Sequence, residues 1–420
     1  MRLYGIVFTG IILISSSTPC EGIFGSSSLQ DYVDSFVDAA KFKFDGVLNL
    51  NDSAINQIWS VFKTKYGRAY SSLEEEKQRL RVFRDHLRFV LESNLKKMQT
   101  FQLELNEFAD WTSDEFNTLK KGLIVSTSFR RDMMISGQDE GDSLRRSVRK
   151  LHRRHYHARR LKRSLHKRRH HRKRFLKDWF SNLFSKNNTQ DNANRQSNVF
   201  DWRTKSVVSS VKDQRKCGCC YAFATATIME TLYAIKTNSK TIVDFSAQQI
   251  ADCSSNGNNG CAGGNFGPSV RYLSDNGGKI ATESSYPYEG ARKSCRTSGV
   301  NEIQLGNIEY GVIPEGNEKK MAEALTNYGP IFIGIDTDTK LFMFYKTGVL
   351  KIDNCPTRRQ DMDHAMAVVG YGYDDALKSS YWIIKNSWGT KWGEHGYLRL
   401  AKDAGNMCGV ASMAYYGKLT

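Results

Sequence analysis

A run of cations from Arg145 to Arg174 divides this chain of 420 residues into two parts that can each fold. The run holds 16 Lys or Arg residues and six His residues, and it holds no acid. Like charges repel one another and keep such a segment extended, and the residues around it show little apolar periodicity. We therefore predict a basic, largely disordered linker with cleavage sites over residues 126–196, with a folded unit on either side.

The net charge of the chain, +17, comes from this run. Outside it, 45 Lys or Arg residues stand against 44 Asp or Glu residues, so the rest of the protein is nearly neutral. Three roles for residues 145–174 stay open: a cleavage region, an anchor for polyanions, and a solvated linker. Arg160–Arg163 fits the Arg-x-Lys/Arg-Arg pattern that proprotein convertases cut, which favours cleavage. Tyr156 is the only aromatic residue of the run, which argues against base-specific recognition of nucleic acid.

The N-terminus has the pattern of a secretory signal peptide, which we place at residues 1–20. Arg2 precedes an apolar stretch from Ile6 to Ile14, and small residues follow from Ser15. The stretch is shorter than the roughly 20 apolar residues of a membrane-spanning helix, so we expect the secretory pathway, lysosome or extracellular space, and no membrane span. Most of the nine cysteines should be oxidised there, although counting alone leaves their pairing open.

Apolar residues with helical spacing follow the signal peptide over residues 54–97. Ile58 and Phe62 belong to a first run, and a second run extends from Leu73 to Leu95 with three acids in its first turn, where the helix dipole favours them. The alternation of apolar and polar residues from Phe101 to Phe108 predicts a short strand.

The part of the chain after the linker is aromatic, rich in Gly and Cys, and begins with helical patterns. We predict helices from Cys220 to Ile235 and around Ser246–Asp252, and strands after Val300. The predicted strands are Ile331–Ile335, Ala365–Val369, Tyr381–Lys385 and Tyr397–Leu400. Helices followed by strands indicate an α+β architecture in two halves.

Cys220 is a candidate nucleophile because it opens a helical pattern. A cysteine at the N-terminus of a helix gains thiolate character from the helix dipole and from a neighbouring imidazolium. Gly218, just ahead of it, permits a close approach to the helix. An acyl-transfer site also needs a histidine, a group that orients it and donors for the oxyanion.

Two downstream residues are placed to complete such a site. His364 directly precedes an apolar strand, and Asn386 directly follows another, so rigid elements would hold both side chains. A metal site is disfavoured, since the cysteines lack paired CxxC spacing and no His pair lies at i, i+4 outside the basic run. We expect neither a metal nor a cofactor.

Together these motifs resemble the papain family of cysteine peptidases. The resemblance rests on Gln214-x-x-Cys217-Gly218-Cys219-Cys220-Tyr221, Gly260-Cys261-Ala262-Gly263-Gly264, Asp363-His364-Ala365 and Asn386-Ser387-Trp388-Gly389, in this order. It implies a two-lobe peptidase of a helical lobe and a β-barrel-like lobe, preceded by a helical inhibitory propeptide. It also implies a cysteine endopeptidase made as an autoinhibited precursor and acting as a monomer on protein or peptide substrates.

The resemblance implies a role for each matching residue. Cys220 attacks the scissile carbonyl, His364 pairs with the thiolate, Asn386 orients the imidazole, and Trp388 shields their hydrogen bond from water. The Gln214 side chain and the Cys220 N–H stabilise the oxyanion. The implied disulfides are Cys217–Cys261, Cys253–Cys295 and Cys355–Cys408. The implied substrate pocket, for the second residue before the cut, is formed by Gly263, Gly264, Phe266, Gly334, Met362, Ala365 and Met413. Because this pocket is apolar and lacks an acid, we predict a preference for bulky hydrophobic side chains.

The first half resembles the propeptides of cathepsin L-like enzymes. The matching positions are Glu75, Arg79, Phe83, Val90 and Asn94, followed by Asn106, Phe108 and Asp110. The resemblance implies that the propeptide runs backwards through the cleft and blocks Cys220. The pattern is imperfect, because His86 stands where Asn is usual and Glu104 where Gly is usual. Protonation of Glu104 or Asp110 at lysosomal pH would weaken their ion pairs, which suggests a role in pH-dependent release.

These inferences define four segments: the signal peptide 1–20, an inhibitory propeptide 21–125 with its helical core at about 54–118, the linker 126–196 and the peptidase domain 197–420. Asn51 and Asn187 are candidate glycosylation sites. Cys219 is either a small buried residue or a redox-active neighbour of the nucleophile. The alternative function is a catalytically silent secreted homologue that binds polyanions through its basic segment.

Overall fold

The computed structural model describes residues 51–96, 99–125 and 199–420, together with Leu29 and Val33. The chain divides into two compact units, Met1–Leu80 and Arg81–Thr420. The predicted signal peptide, the basic linker with its convertase site, and Asn187 lie outside the described residues.

Two helices in the first half confirm the helical prediction. Helix α1 (Asp52–Tyr66) begins at Asn51, whose Oδ1 accepts the Ala54 N–H at 2.8 Å, and ends at Gly67, which has the left-handed φ of 58°. An α-helix that ends on a left-handed glycine cannot continue, so the predicted helical region is divided there. Helix α2 (Leu73–Asn94) follows, with three acids in its first turn.

The strand predicted over Phe101–Phe108 is wrong in its second half. Strand β1 covers only Phe101–Leu103. Further on, Oδ1 of Asn106 accepts the Phe108 N–H at 3.0 Å, which turns the backbone out of the extended conformation. Helix α3 (Ser113–Lys120) then begins at a capping box formed by Thr112 and Glu115.

The second half contains five α-helices and ten strands in the described residues; three of the helices precede every strand except β2, and the other two lie among the strands. The helices are α4 (Cys220–Thr237), α5 (Ala247–Cys253), α6 (Phe266–Asp275), α7 (Glu318–Asn327) and α8 (Lys340–Met343). The strands are β2 (Phe200–Asp201), β3 (Lys279–Ala281), β4 (Glu302–Gln304), β5 (Ile308–Val312), β6 (Ile331–Ile335), β7 (Tyr345–Leu350), β8 (His364–Asp374), β9 (Ser379–Lys385), β10 (Tyr397–Ala401) and β11 (Met413–Leu419).

Nine of the described strands form one sheet in the order β1-β7-β10-β9-β8-β6-β11-β5, with β2 paired to β8. Strands β7 and β10 run parallel, and the other pairs are antiparallel. Helix α4 is buried along 14 of its 18 residues and packs against β8, as a helix in a core does. Strands β8 and β9 pair antiparallel, so the start of β8 lies next to the end of β9. This pairing determines where the residues at those two strand ends meet.

Three disulfides join Cys217 to Cys261, Cys253 to Cys295 and Cys355 to Cys408. These are the pairs that the family resemblance implies. Cys219 and Cys220 stay free, and both are buried. Among the described helices, none combines the length and the apolar character that crossing a bilayer requires.

Candidate active site

Cys220 is the first residue of α4, so its side chain lies at the positive end of the helix dipole. The backbone N–H of Ala365 donates to its Sγ at 3.3 Å. The chain must approach closely here, because a Cβ on Gly218 would lie 2.5 Å from the Lys121 carbonyl oxygen. Burial raises the pKa of the Cys220 thiol well above its usual range, and the hydrogen bond from Ala365 opposes that rise.

His364 and Asn386 meet because one opens β8 and the other directly follows β9. Nε2 of His364 lies 2.9 Å from Oδ1 of Asn386, and the Trp388 ring lies 4.7 Å from the imidazole, between centroids. Nδ1 of His364 is buried and has no hydrogen-bond partner among the described residues. The next residue, Ala365, contacts Cys220 Sγ through its backbone N–H, so the thiol lies close to the start of β8.

Residues 120–125 cover the site, and burial disfavours the charged forms of Cys220 and His364. Burial lowers the pKa of His364 to about 3; the hydrogen bond to Asn386 opposes this shift, whereas the cations of Lys121 and Lys120 add to it. The pKa of Cys220 moves in the opposite direction. Both shifts disfavour the charged forms of the thiol and the imidazole while the site is covered.

Gln214 and Trp388 hold a carbonyl oxygen beside the nucleophile. Nε2 of Gln214 donates to the Lys120 carbonyl at 3.1 Å, and Nε1 of Trp388 donates to the same oxygen at 3.3 Å. Gln214 itself is oriented by the Ser387 hydroxyl, which donates to its Oε1 at 2.7 Å. A fixed amide donor aimed at a carbonyl next to a nucleophile is what an oxyanion hole requires.

Residues 121–125 continue across the site as an extended segment. The N–H groups of Gly122 and Leu123 donate to the Asp363 carbonyl at 3.1 and 3.0 Å, and Gly264 pairs with Leu123 in a parallel bridge. Gly122 has no room for a side chain, because a Cβ there would lie 1.9 Å from the carbonyl oxygen of Gly218. We call residues Lys120–Val125 the blocking segment.

The predicted pocket residues come together where three strands lie side by side. Gly334 on β6 pairs with Ala365 on β8 and with Met413 on β11. Phe266 and Met362 are also buried and belong to the same apolar cluster, against which Leu123 packs. A Cβ on Gly334 would lie 2.6 Å from Cδ2 of Leu123, so the missing side chain makes room for that leucine. Gly263 lies beside Ile124, because a Cβ added to Gly263 would be 3.1 Å from Cγ1 of Ile124.

Five of the eight propeptide motif residues are buried. Asn94 exchanges two hydrogen bonds with the backbone of Leu103, at 2.8 and 2.9 Å, and Nδ2 of Asn106 donates to the Met343 carbonyl at 2.7 Å. Phe108 lies edge-on to Trp388 at 6.2 Å. Phe83, Val90 and Asp110 are buried, Glu75 and Arg79 are paired at 3.7 Å, and Glu104 is paired with Lys346 at 2.5 Å.

His86 is a buried residue of α2 that packs against the peptidase half. Its Nδ1 lies 3.0 Å from the Ala109 carbonyl, and its ring meets Phe344 at 4.9 Å. Burial lowers the pKa of His86 from 6.5 to about 4; the Ala109 carbonyl opposes this shift, Lys340 adds to it and Asp85 opposes it. A released propeptide therefore takes up a proton at a higher pH than the docked one does.

We expect the change His86→Asn to lower the pH at which the precursor matures. Above about pH 6.5, His86 is neutral in both the docked and the released propeptide, and docking has its full free energy. As the pH falls from 6.5 toward 4, protonation of His86 in the released propeptide reduces the docking free energy, by about 3 kcal/mol in all. The introduced amide would keep a hydrogen bond to Ala109 without titrating. The measurement is the pH of half-maximal conversion of the precursor, with the exposed His395→Asn as control. If the pH of half-maximal conversion did not change in His86→Asn, a role for His86 in pH-dependent release would be contradicted.

Cys219 directly precedes Cys220, is free and is buried. Its Sγ is 3.1 Å from the Tyr288 hydroxyl, and burial raises its pKa to about 12. This burial fits the first of the two alternatives, a small buried residue.

Lys120 and Lys121 are site residues that the sequence patterns missed. Their signal is weak: two adjacent lysines between a capped helix and the sequence Gly122-Leu123. Asn51, a candidate glycosylation site, is exposed and serves as the N-cap of α1. No group of three or more His, Cys, Asp or Glu side chains able to hold a metal ion occurs in the part of the chain that the structure describes.

Two family models match the chain. The model of the papain family cysteine proteases matches residues 196–418, and that of the cathepsin propeptide inhibitor domain (I29) matches residues 59–116. The two matches cover the peptidase half and most of the described part of the first half.

Individual relatives match along most of their length. The chain is 34% identical to digestive cysteine proteinase 1 of Homarus americanus over 369 residues, which are 87% of this chain and 95% of that protein. It is 33% identical to cathepsin L1 of Drosophila melanogaster over 368 residues, 86% of this chain and 85% of that one. Among solved structures, digestive procathepsin L2 proteinase of Tenebrio molitor superposes with a TM-score of 0.66 at 27% identity, over 87% of this chain and 100% of that chain.

Proposed function

Because this chain belongs to the papain family of cysteine proteases and is a zymogen with a cathepsin propeptide inhibitor domain, we propose that Cys220, His364 and Asn386 perform its peptide hydrolysis. The observation that carries the proposal is their convergence from α4, β8 and β9 on one point. Two contacts support the proposal: the His364–Asn386 hydrogen bond of 2.9 Å, and the hydrogen bond of 3.3 Å from the Ala365 N–H, next to His364, to Cys220 Sγ.

Departure of the blocking segment supplies the activation step. Water then reaches the site, and two lysine cations leave the surroundings of His364, so both causes of its lowered pKa are relieved. The proton of Cys220 Sγ can move to Nδ1 of His364, and the helix dipole of α4 stabilises the thiolate that remains.

The thiolate attacks the scissile carbonyl carbon, and the carbonyl oxygen becomes an oxyanion. Nε2 of Gln214 and the backbone N–H of Cys220 donate to that oxygen. The imidazolium gives its proton to the leaving amine, which breaks the peptide bond and leaves a thioester on Cys220. Neutral His364 then takes a proton from water, whose oxygen hydrolyses the thioester and restores the thiol.

A covalent titration tests this assignment. The acid-matured enzyme is treated with an epoxysuccinyl thiol reagent, and the labelled peptide is identified by mass spectrometry. One mole of label per mole of enzyme on Cys220, with complete loss of hydrolysis, is the expected result. Label confined to another cysteine, or full activity after labelling, would refute the role of Cys220.

We also propose that the pocket beside Gly334 selects a hydrophobic residue at the second position before the cut. Leu123 of the blocking segment packs there, which supports a pocket of that size and polarity. Among peptides that differ only at this position, we expect Leu and Phe to exceed Arg at least tenfold in kcat/KM, since an unpaired guanidinium in an apolar pocket is costly. A peptide panel in which Arg equals Leu would overturn this preference.

The segment boundaries that we propose are the signal peptide 1–20, the propeptide 21–125, the linker 126–196 and the peptidase domain 197–420. The two family matches, 59–116 and 196–418, support the second and fourth of these. We propose a monomer in the lysosome or outside the cell, processed in its linker by a proprotein convertase or by itself.

A further inference from the structure

The ammonium group of Lys121 is bound by two carboxylates at the active site. Its Nζ lies 2.7 Å from Oδ2 of Asp363 and 3.2 Å from Oδ1 of Asp338, and its side chain is 7% exposed. Asp363 directly precedes His364, whereas Asp338 lies in the loop between β6 and α8. A cation is therefore held between two elements of the peptidase, directly beside the catalytic base.

The loop that carries Asp338 is fixed to the residue beside His364. Oδ1 of Asp363 accepts hydrogen bonds from the N–H and the hydroxyl of Thr337, both at 2.9 Å. Oδ1 of Asp336 accepts the N–H of Asp338 at 3.1 Å. Because these bonds lie within the peptidase domain, the carboxylates keep their places when the propeptide leaves.

The blocking segment identifies the substrate position that this cation occupies. Leu123 fills the pocket, Gly122 lies against Gly218 just before the nucleophile, and Lys121 lies beside the base. An extended chain has the same spacing, about 3.3 Å per residue, in either direction. A substrate with its second residue before the cut in the pocket would thus place the residue after the cut where Lys121 lies.

We propose that Asp338 and Asp363 make this protease select substrates with Lys or Arg directly after the scissile bond. The inference rests on the proposed function, because it uses the catalytic site to define the cut. Release of Lys121 leaves two carboxylates without their cation, and they attract a basic side chain and repel an acidic one. Asp338 is 68% exposed on its side chain even beside Lys121, so its contribution is that of a charge near solvent.

The linker of this chain carries the matching pattern several times. An apolar residue is followed by a basic residue two positions later in Leu144-Arg145-Arg146, Leu151-His152-Arg153, Leu161-Lys162-Arg163 and Leu165-His166-Lys167. An enzyme with the inferred preference would cut Leu161-Lys162-Arg163 between Lys162 and Arg163. A convertase that recognises Arg160–Arg163 would cut after Arg163, so the two activities leave different ends.

The test uses quenched fluorescent peptides with the sequence of residues 159–164 and Arg, Ala or Glu in place of Arg163. The mature enzyme is compared with Asp338→Asn and with Asp375→Asn, which removes an exposed carboxylate just beyond the far end of β8. Rates are normalised to the active sites counted by the thiol reagent, so misfolded molecules do not contribute.

We expect the wild-type enzyme to prefer the Arg peptide over the Glu peptide about tenfold or more. Asp338→Asn should reduce that ratio about threefold to fivefold and leave the Ala peptide within about twofold, whereas Asp375→Asn should change neither. Asp338→Lys should favour the Glu peptide. Added salt should reduce the preference, since exposed charges are screened over about 10 Å at 0.1 M ionic strength.

Equal cleavage of the Arg and Glu peptides, or a ratio unchanged in both Asp338 variants, would overturn the inference while the Ala peptide shows that the catalytic site works. Failure to cleave any of the three peptides, together with failure of the thiol reagent to label Cys220, would overturn the proposed function and the inference with it.

Discussion

Replacing Cys220 by Ala is expected to lower kcat/KM for a peptide substrate by about five orders of magnitude. The mature enzyme would lose its proposed nucleophile, while the proposed oxyanion donors and substrate pocket would stay. The variant would exceed the uncatalysed hydrolysis in water only through transition-state stabilisation and substrate binding. These two effects retain a small part of the rate enhancement. The measurement is kcat/KM of the purified mature protein with a substrate that has Leu at the second position before the cut.

The neighbouring thiol provides the matched control for this variant. Cys219 is as deeply buried as Cys220, but its Sγ contacts the Tyr288 hydroxyl, whereas that of Cys220 contacts the N–H of Ala365, next to His364. Cys219→Ala should therefore keep kcat/KM within about threefold, the expected scale for a small buried change away from the reacting atoms. If Cys219→Ala abolished labelling and Cys220→Ala did not, the assignment of the nucleophile would have to be exchanged.

Replacing Gly122 by Ala is expected to open the precursor. The new Cβ would lie 1.9 Å from the carbonyl oxygen of Gly218, and both atoms belong to backbone or are fixed to it. Neither can rotate away, so the blocking segment must rise and lose its contacts at Gln214 and Asp363. An overpacking cost of about 1–3 kcal/mol corresponds to a fivefold to 150-fold change in the docking equilibrium.

The readout for Gly122→Ala is the rate at which an epoxysuccinyl reagent labels the intact precursor at neutral pH. It should rise roughly tenfold to a hundredfold over the wild-type precursor. Thr118→Ala, an exposed change in the same region of the propeptide, should leave the rate unchanged. A Gly122→Ala precursor that is labelled as slowly as the wild type would show that the segment does not block the thiol.

The parts of the site that the sequence predicts are those with local signals. Cys220 begins a helical pattern, and His364 and Asn386 adjoin apolar strands, so their positions at element ends follow from periodicity alone. Their convergence does not follow from periodicity. It depends on the register of β8 with β9 and on the packing of α4 against β8, which brings Cys220 to Ala365, 145 positions later in the sequence.

The blocking lysines could not be predicted, because their role is defined entirely by distant partners. Lys120 is held by Trp388 and Lys121 by Asp363, more than 240 positions away. The opposite pKa shifts of Cys220 and His364 escaped prediction for a related reason, since burial is the largest cause of both. The shortened strand β1 shows the converse: alternation alone cannot reveal that Asn106 turns the backbone.

Strand β1 has a consequence for the enzyme after maturation. It comes from the propeptide and covers β7, pairing Phe101 with Gly348 and Gln102 with Thr347. Once β1 leaves, β7 becomes a border of the sheet, and backbone donors and acceptors that were matched face solvent. Maturation thus opens the cleft and also leaves β7 as an exposed edge strand. An exposed edge strand is a template for pairing with another chain.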